Sequence, residues 1–314
     1  MPVVVIAQYV RPELLPYLCW LSFYFAMAAG TIAHNHNHVP TFASKRLNDI
    51  MAIWVSVFYG YPTFAWVPTH NLNHHKYVNK PGDATITWRH TNSNNIVVAV
   101  TYFFISAFYQ AGPINEYKRK AKERNPKLYS TITTQMNMWL GVNALLLAFA
   151  VGFNYWKHGT SGAIHGVYLF IMVSLLPSLF GTWSMMWFNY MQHVHTDPWS
   201  KYNHSRNITG YIFNFLVFNN GLHTVHHANA GTHWSDARAE HQKIEKLVDP
   251  RLNERSFWWW VIRAYVLSIF IPPFRTKQVG RAPFDTPDAG VVDAAAVKTD
   301  SVEALDAGAN AQMV

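Results

Sequence analysis

The sequence predicts an all-α fold, a helical bundle integral to a membrane. Three observations predict it. Only 13% of the 314 residues are charged, while 50% are apolar and 16% aromatic, so the charge is about half that of an average soluble domain. Five stretches, Leu14–Ala33, Ile50–Pro68, Ile96–Ile114, Met136–Phe153 and Ala163–Phe188, contain no Asp, Glu, Lys or Arg, and about 20 helical residues cross a hydrocarbon core of roughly 30 Å. Finally, 11 of the 17 histidines fall in four short clusters outside those runs: "HNHNH" at 34–38, "HNLNHH" at 70–75, "HVH" at 193–195 and "HTVHH" at 223–227.

The first run is followed at once by histidines, not by a small-residue cleavage site, which reads as a retained span and not a signal peptide. It holds the only cysteine, Cys19. Disulfide frameworks and thiolate metal sites are thereby excluded, and Cys19 is expected to be packed and inert. The second run ends in "YGYPTFAWVP", where Gly60, Pro62 and Pro68 break helix and the aromatics suit an interface. It reads as a re-entrant or interfacial segment. The third run ends in "EYKRKAKERNPK", with six basic residues from Lys118 to Lys127. The positive-inside rule makes that segment cytoplasmic, so the third run is expected to lie in the membrane without crossing. Its basic residues suit anionic lipid, and an acidic electron carrier as the alternative. The fourth and fifth runs, joined by "NYWKHGTSG", read as a transmembrane hairpin. With the first, fourth and fifth runs crossing, the amino terminus lies outside the cytoplasm and all four clusters share the cytoplasmic side. "FWWW" at 257–260, with Arg263 after it, reads as an interfacial helix anchor. The formal charge of +8 is uneven, because Gly280–Val314 carries two basic and six acidic residues. The expected organisation is a membrane domain over 1–274 and a disordered tail over 275–314.

At about 100° per helical residue, His34 and His38 share a face with His36 turned away, and His70 and His74 form the same kind of pair. His223, His226 and His227 fan over one narrow face. Doubled histidines diverge by about 100°, so neighbouring rings suit two adjacent ions better than one. Nine or so imidazoles exceed the four ligands of a usual zinc site. Imidazole suits zinc, copper, iron and nickel alike. The setting, at the mouth of a lipid-facing bundle, favours iron and oxygen chemistry on a water-insoluble chain. No Glu-x-x-His occurs, which excludes the carboxylate-bridged pattern of ferritin-like bundles. A haem protein would pair histidines inside the spans, and a metal transporter would place polar ligands at mid-membrane. A zinc-dependent membrane lipid hydrolase remains the alternative. His195 rivals His193, because the chain leaves helix near Pro198. Asp83, Asp197 and Asp236 are placed to accept a ring N–H from a liganding histidine. For Asp83 and Asp236 a turn or helix-cap role reads equally well. His90, His158, His165, His204, His233 and His241 are isolated and read as structural.

"HNHNH" as H-x3-H, "HNLNHH" as H-x3-HH and "HTVHH" as H-x2-HH resemble, in order and spacing, the three histidine boxes of the membrane fatty acid desaturase and hydroxylase superfamily. The resemblance covers roughly residues 14–274. "NYMQH" at 189–193 resembles the N-Y-x-E-H element of alkane hydroxylases and the N-x3-H element of acyl desaturases, and Gln192 departs from the acid of the former. The resemblance implies an O2-dependent di-iron enzyme acting on a fatty acyl chain, with His34, His38, His70, His74, His75, His193, His223, His226 and His227 as metal ligands. It implies Asn189 reaching a metal through water, with His195 and Asp197 as further candidates behind the ligands. No catalytic residue beyond the ligands and no organic cofactor site is implied. No His-Pro-Gly-Gly haem motif occurs, so electrons are expected from a separate carrier of ferredoxin, rubredoxin or cytochrome b5 type. Desaturation is the implied reaction, with alkane or fatty acid hydroxylation and alkene-forming decarboxylation as variants. The expected partners are a fatty acyl lipid and membrane lipid, not nucleic acid.

Overall fold

The computed structural model describes residues 1–285. Helices dominate, and the only strands among the described residues are two-residue pieces, Asn207–Ile208 paired in parallel with Asn253–Glu254. Three helical stretches are long and apolar enough to cross a membrane: Pro12–His38, Ile96–Arg124 and Pro126–His193. The chain divides into two compact units. The first comprises Met1–Asn37, Thr41–Ala65 and Lys120–Met185, and the second comprises His38–Pro40, Trp66–Arg119 and the chain from Met186 on.

The first unit begins with a helix that the apolar runs did not reveal. Helix α1, Pro2–Val10, has nine residues, about 13 Å of rise, too short to span. It buries Val5, Gln8 and Tyr9 and exposes Val3. Val5 and Tyr9 pack with Ala150, Leu169 and Val173 in one apolar cluster. Helix α2, Leu15–His38, is the first expected span. Cys19 within it is half-buried, not enclosed as its position in the run predicted. Helix α3, Lys45–Tyr59, starts at Ser44, whose hydroxyl accepts the Leu47 N–H. It stops at Gly60 in the left-handed region (φ 97°), the conformation glycine adopts without a Cβ penalty. The chain then bends by 97° into the helical stretch Thr63–Tyr77, the break that Gly60 and Pro62 predicted. The fourth and fifth runs fall in α6, Pro126–Phe170, the π-turn Ile171–Leu175 and α7, Leu176–His193. Within α6, Gly159 leaves helix at φ 65° and ψ −148°. A Cβ on Gly162 would meet Asn154 O at 2.0 Å, and one on Gly166 would meet Ala150 O at 2.5 Å. Pairs 154–162 and 150–166 converge on one turn, so two antiparallel arms pack backbone to backbone through glycine. That is the expected hairpin.

The second unit carries most of the histidines. Its π-helix Val67–His74 leads into a short α4, His75–Tyr77, and an irregular loop runs to helix α5, Ile96–Arg124. Helix α5 has 29 residues and a mean hydropathy of 1.4 in its apolar window, so the third run is long enough to cross, where a non-crossing segment was expected. Beyond α7 come α8 Tyr211–Leu216, α9 His223–Ala228, α10 Ala237–Ile244, α11 Phe257–Val261 and α12 Ser268–Phe270. Ser256 caps α11 through Trp259 N–H. Phe257 and Trp260 turn inward while Trp258 and Trp259 are exposed, the two-faced pattern of an interfacial anchor. Residues 275–285, assigned to the tail by composition, are held against the fold. Val279 N–H donates to His195 O at 3.0 Å, Gln278 Nε2 to Thr196 O at 2.7 Å, and Trp199 Nε1 to Ala282 O at 3.1 Å. The rest of the expected tail, 286–314, lies outside the described residues.

Candidate metal centre

The second histidine cluster is wound in an unusual way, and the winding decides which rings meet. Pro68 has no N–H to give an i→i−4 ladder. Val67–His74 is a π-helix, closed by the His75 N–H reaching back to His70 O. The i→i+5 bonding of a π-turn swings residues five apart toward one face, where an α-helix holds them about 140° apart. His75 Nε2 therefore lies 3.1 Å from His70 Nε2, where α-helical counting put His75 far from His70 and paired His70 with His74.

Two groups of imidazoles result. In one, His38, His70 and His226 bring ring nitrogens within 4.8 Å of one another. His75 joins them, its Nε2 2.8 Å from His226 Nε2 and its ring 4.7 Å from that of His38. His34 stands one turn before His38 on the same face of α2. In the other group His74, His193, His223 and His227 converge within 4.8 Å, with Nε2–Nε2 separations of 3.1 Å for His74–His193, 3.0 Å for His193–His223 and 3.1 Å for His223–His227. Each doubled histidine divides, with His75 and His226 in the first group and His74 and His227 in the second. That is what the 100° divergence of adjacent rings predicted.

The protons show what such a group needs. His74 Nδ1 lies 2.7 Å from Asp83 Oδ2, and His193 Nδ1 lies 3.1 Å from His204 O. Both partners only accept, so each neutral ring donates from Nδ1 and carries a lone pair on Nε2. Two lone pairs then face each other at 3.1 Å, which is repulsive unless a cation lies between them. The separations suit a metal: ligands at right angles and about 2.1 Å from an ion are about 3.0 Å apart. All donors are neutral imidazoles, a set that suits iron as well as zinc, copper or nickel.

The surroundings hold these rings in place. Asp83 is enclosed. Its Oδ2 also accepts Asn79 N–H at 2.7 Å, and its Oδ1 accepts Thr85 N–H and Thr85 Oγ1–H, both at 2.7 Å. Burial pushes the Asp83 carboxyl up, but electrostatic attraction and the hydrogen bond from the His74 Nδ1–H, with the bonds of Thr85, pull it to about 2. Asn79 Nδ2 donates to His193 O at 3.0 Å, which ties the Asp83 loop to the end of α7. Arg206 closes that end as well, its N–H on Gln192 O and its Nη1 on Met191 O and Val194 O. Burial, then the neighbouring imidazoles of His75, His223, His74 and His193, hold the His227 pKa well below the usual value, which keeps that ring in the neutral, liganding form. Five non-glycine residues among those described have positive φ: Val78, Asn79, His195, Phe218 and Asn219. Each lies within a few residues of a histidine cluster, the kind of strained backbone that concentrates at functional sites.

The remaining candidates separate. His195 is engaged on both ring nitrogens, with Thr276 Oγ1 at 2.9 Å and Asn92 O at 2.6 Å, and belongs to neither group. Asp197 accepts the Trp199 N–H at 3.0 Å and abuts Gly280, a turn role that touches no ring of either group. Asp236 is exposed beside Ser235. His36 bonds Thr41 and Asn48 O. Asn189 gives its amide N–H to Tyr102 OH at 2.9 Å, one turn before His193. Sequence reading missed His204, whose carbonyl anchors His193 and whose ring lies 5.5 Å from that of His227. It also missed Asn79, Thr85 and Arg206, which carry no motif. Only the nearness of Asp83 to the second histidine cluster pointed that way.

No curated protein and no solved structure matches the chain significantly. The family model for fatty acid desaturases matches residues 12–260, a span that holds every histidine of both groups. The chain belongs to the fatty acid desaturase family, oxidoreductases of fatty acid chains in membranes.

Proposed function

We propose that the protein is an O2-dependent di-iron desaturase of a fatty acyl chain, with His34, His38, His70, His75 and His226 holding one iron and His74, His193, His223 and His227 the other. The observation that carries this reading is the convergence of imidazole nitrogens in two groups, with the Nε2 atoms of His74 and His193 facing each other at 3.1 Å. Bound iron supplies the oxygen activation needed to attack an unactivated C–H bond. The chain's own residues do the rest. Asp83 and the His204 carbonyl fix ring tautomers, and the buried setting of His74, His193 and His223 keeps bulk water from the centre. The overall change removes two hydrogens from adjacent carbons and converts one O2 to two waters, which requires two further electrons and two protons. A separate carrier of ferredoxin, rubredoxin or cytochrome b5 type delivers those electrons on the cytoplasmic side, where a multi-pass arrangement puts all the boxes.

Desaturation is favoured over alkane hydroxylation by Gln192. Its Nε2 donates to Asn220 O at 2.8 Å, a bond that the hydroxylase-type carboxylate at this place cannot make. Mass spectrometry of lipids from cells supplied with a fatty acid mixture tests the reading. Products two mass units lighter are expected. Products sixteen units heavier support hydroxylation instead, and lipid left unchanged with O2 and a competent reductant overturns both.

A further inference from the structure

Tyr102 lies inside α5 with 3% of its surface exposed, and its hydroxyl bonds Ser106 as well as the two groups that matter here, Thr85 and Asn189. It donates to the main-chain carbonyl of Thr85 and accepts the Nδ2–H of Asn189 at 2.9 Å. The order of these bonds is forced. A carbonyl can only accept, so the single phenolic proton is committed to Thr85 O, and the oxygen has only lone pairs left for Asn189. An amide facing those lone pairs must present its NH2. Asn189 Oδ1 is then the opposite end, and it accepts no hydrogen bond from any described residue. Asn189 precedes His193 by one helical turn on α7 and shares its face.

The far side of Tyr102 leads to the same histidine group. Thr85 bonds Asp83 Oδ1 through both N–H and Oγ1–H, and its Oγ1 lies 3.0 Å from His74 Nδ1. Asp83 holds His74 and Asn79, and Asn79 returns to His193 O. The network closes on itself: His74, Asp83, Thr85, Tyr102, Asn189, α7, His193, Asn79 and back to Asp83. Tyr102 is where α5 enters it.

We propose that Tyr102 is a positioning residue: its hydroxyl fixes the amide of Asn189 with the oxygen outward, as an acceptor beside the group formed by His74, His193, His223 and His227. The inference rests on the di-iron reading above. Without the hydroxyl the amide has nothing to distinguish its two ends, and NH2 replaces oxygen in part of the population. A carboxylate presents oxygen whichever way it turns, so aspartate at 189 needs no orienting hydroxyl. With Tyr102 present, however, that aspartate faces a hydroxyl whose proton is already committed.

The test is a four-member set in detergent: wild type, Tyr102→Phe, Asn189→Asp and the double variant. Bound iron is counted after chelator challenge, and the 57Fe Mössbauer spectrum is recorded for each. Removing a group that orients ligands typically costs about 10–100-fold in metal affinity. Each single variant should lose iron from one of two environments by about that factor, and the double variant should recover most of it. Tyr102→Phe that holds both irons with a wild-type spectrum overturns the inference, as does a double variant whose losses multiply without recovery. If Tyr102→Phe fails to fold, Asn189→Asp and the double variant still decide, because a merely structural tyrosine gives no rescue. A wild type without iron removes the di-iron reading instead, so the two failures are distinguishable.

Discussion

Asp83→Asn changes one buried atom and leaves the shape of the side chain intact. In the native fold four donors converge on two carboxylate oxygens: His74 Nδ1 and Asn79 N–H on Oδ2, Thr85 N–H and Thr85 Oγ1–H on Oδ1. An amide keeps one oxygen and turns the other into an NH2, so at least two donors face a donor in a buried site. Each unsatisfied buried group costs about 1–3 kcal/mol, so the loss is roughly 2–6 kcal/mol, a large share of a typical stability of about 5–15 kcal/mol. Part of it falls on metal binding, since His74 loses the partner that fixes its tautomer, and affinity should drop about 10–100-fold. Iron content under chelator challenge and the thermal midpoint in detergent are measured side by side, with Asp236→Asn as the exposed control. Asp83→Asn should lose iron and unfold at lower temperature, while the control stays unchanged. A variant that keeps its iron and its midpoint would refute the claim that this carboxylate orients His74.

Three further outcomes are expected. His70→Ala, His75→Ala and His226→Ala should each lose iron and at least tenfold in turnover, while His158→Ala should not; full iron and full turnover in His70→Ala and His226→Ala contradict the assignment. Gly162→Leu should break the α6 hairpin, because even a Cβ would sit 2.0 Å from Asn154 O. Overpacking costs about 1–3 kcal/mol when neighbours can shift, and backbone cannot, so the yield of folded protein should collapse; a wild-type thermal midpoint rules out the close packing. In a Cys19→Ser background, single cysteines at Asn92 and Ser130 should react only from the cytoplasm and one at Thr160 only from outside. Labelling of Asn92 from outside would put the second histidine cluster on the face opposite the basic segment and end the cytoplasmic placement of the site.

That the histidine clusters gather was legible because such gathering needs a ring type at a helical spacing, and both survive in one dimension. Their division was only half legible. Adjacent rings diverge in any helix, so His74 and His75 were bound to part, but a π-turn cannot be read from "HNLNHH", and it alone brings His70 beside His75. Helix α1 was missed because nine residues make no span; its burial of Gln8 and Tyr9 depends on α2 and α6 folding around it. Residues 275–285 read as tail by composition, yet single bonds such as Val279 to His195 O hold them. Asp83 was one of three candidates, with a turn role reading equally well for it and Asp197 preferred, and only the fold shows that of the three Asp83 meets a ring of either group. The α6 hairpin was the clearest case, with two uncharged runs and a short polar link carrying Gly159.

The central claim is that two groups of neutral imidazoles hold two irons. Elemental analysis of protein purified anaerobically from membranes, with iron and zinc counted per chain, tests it most directly. Two irons per chain and negligible zinc is the predicted result; zinc alone at either group would contradict the account and return the zinc-dependent lipid hydrolase as the better reading.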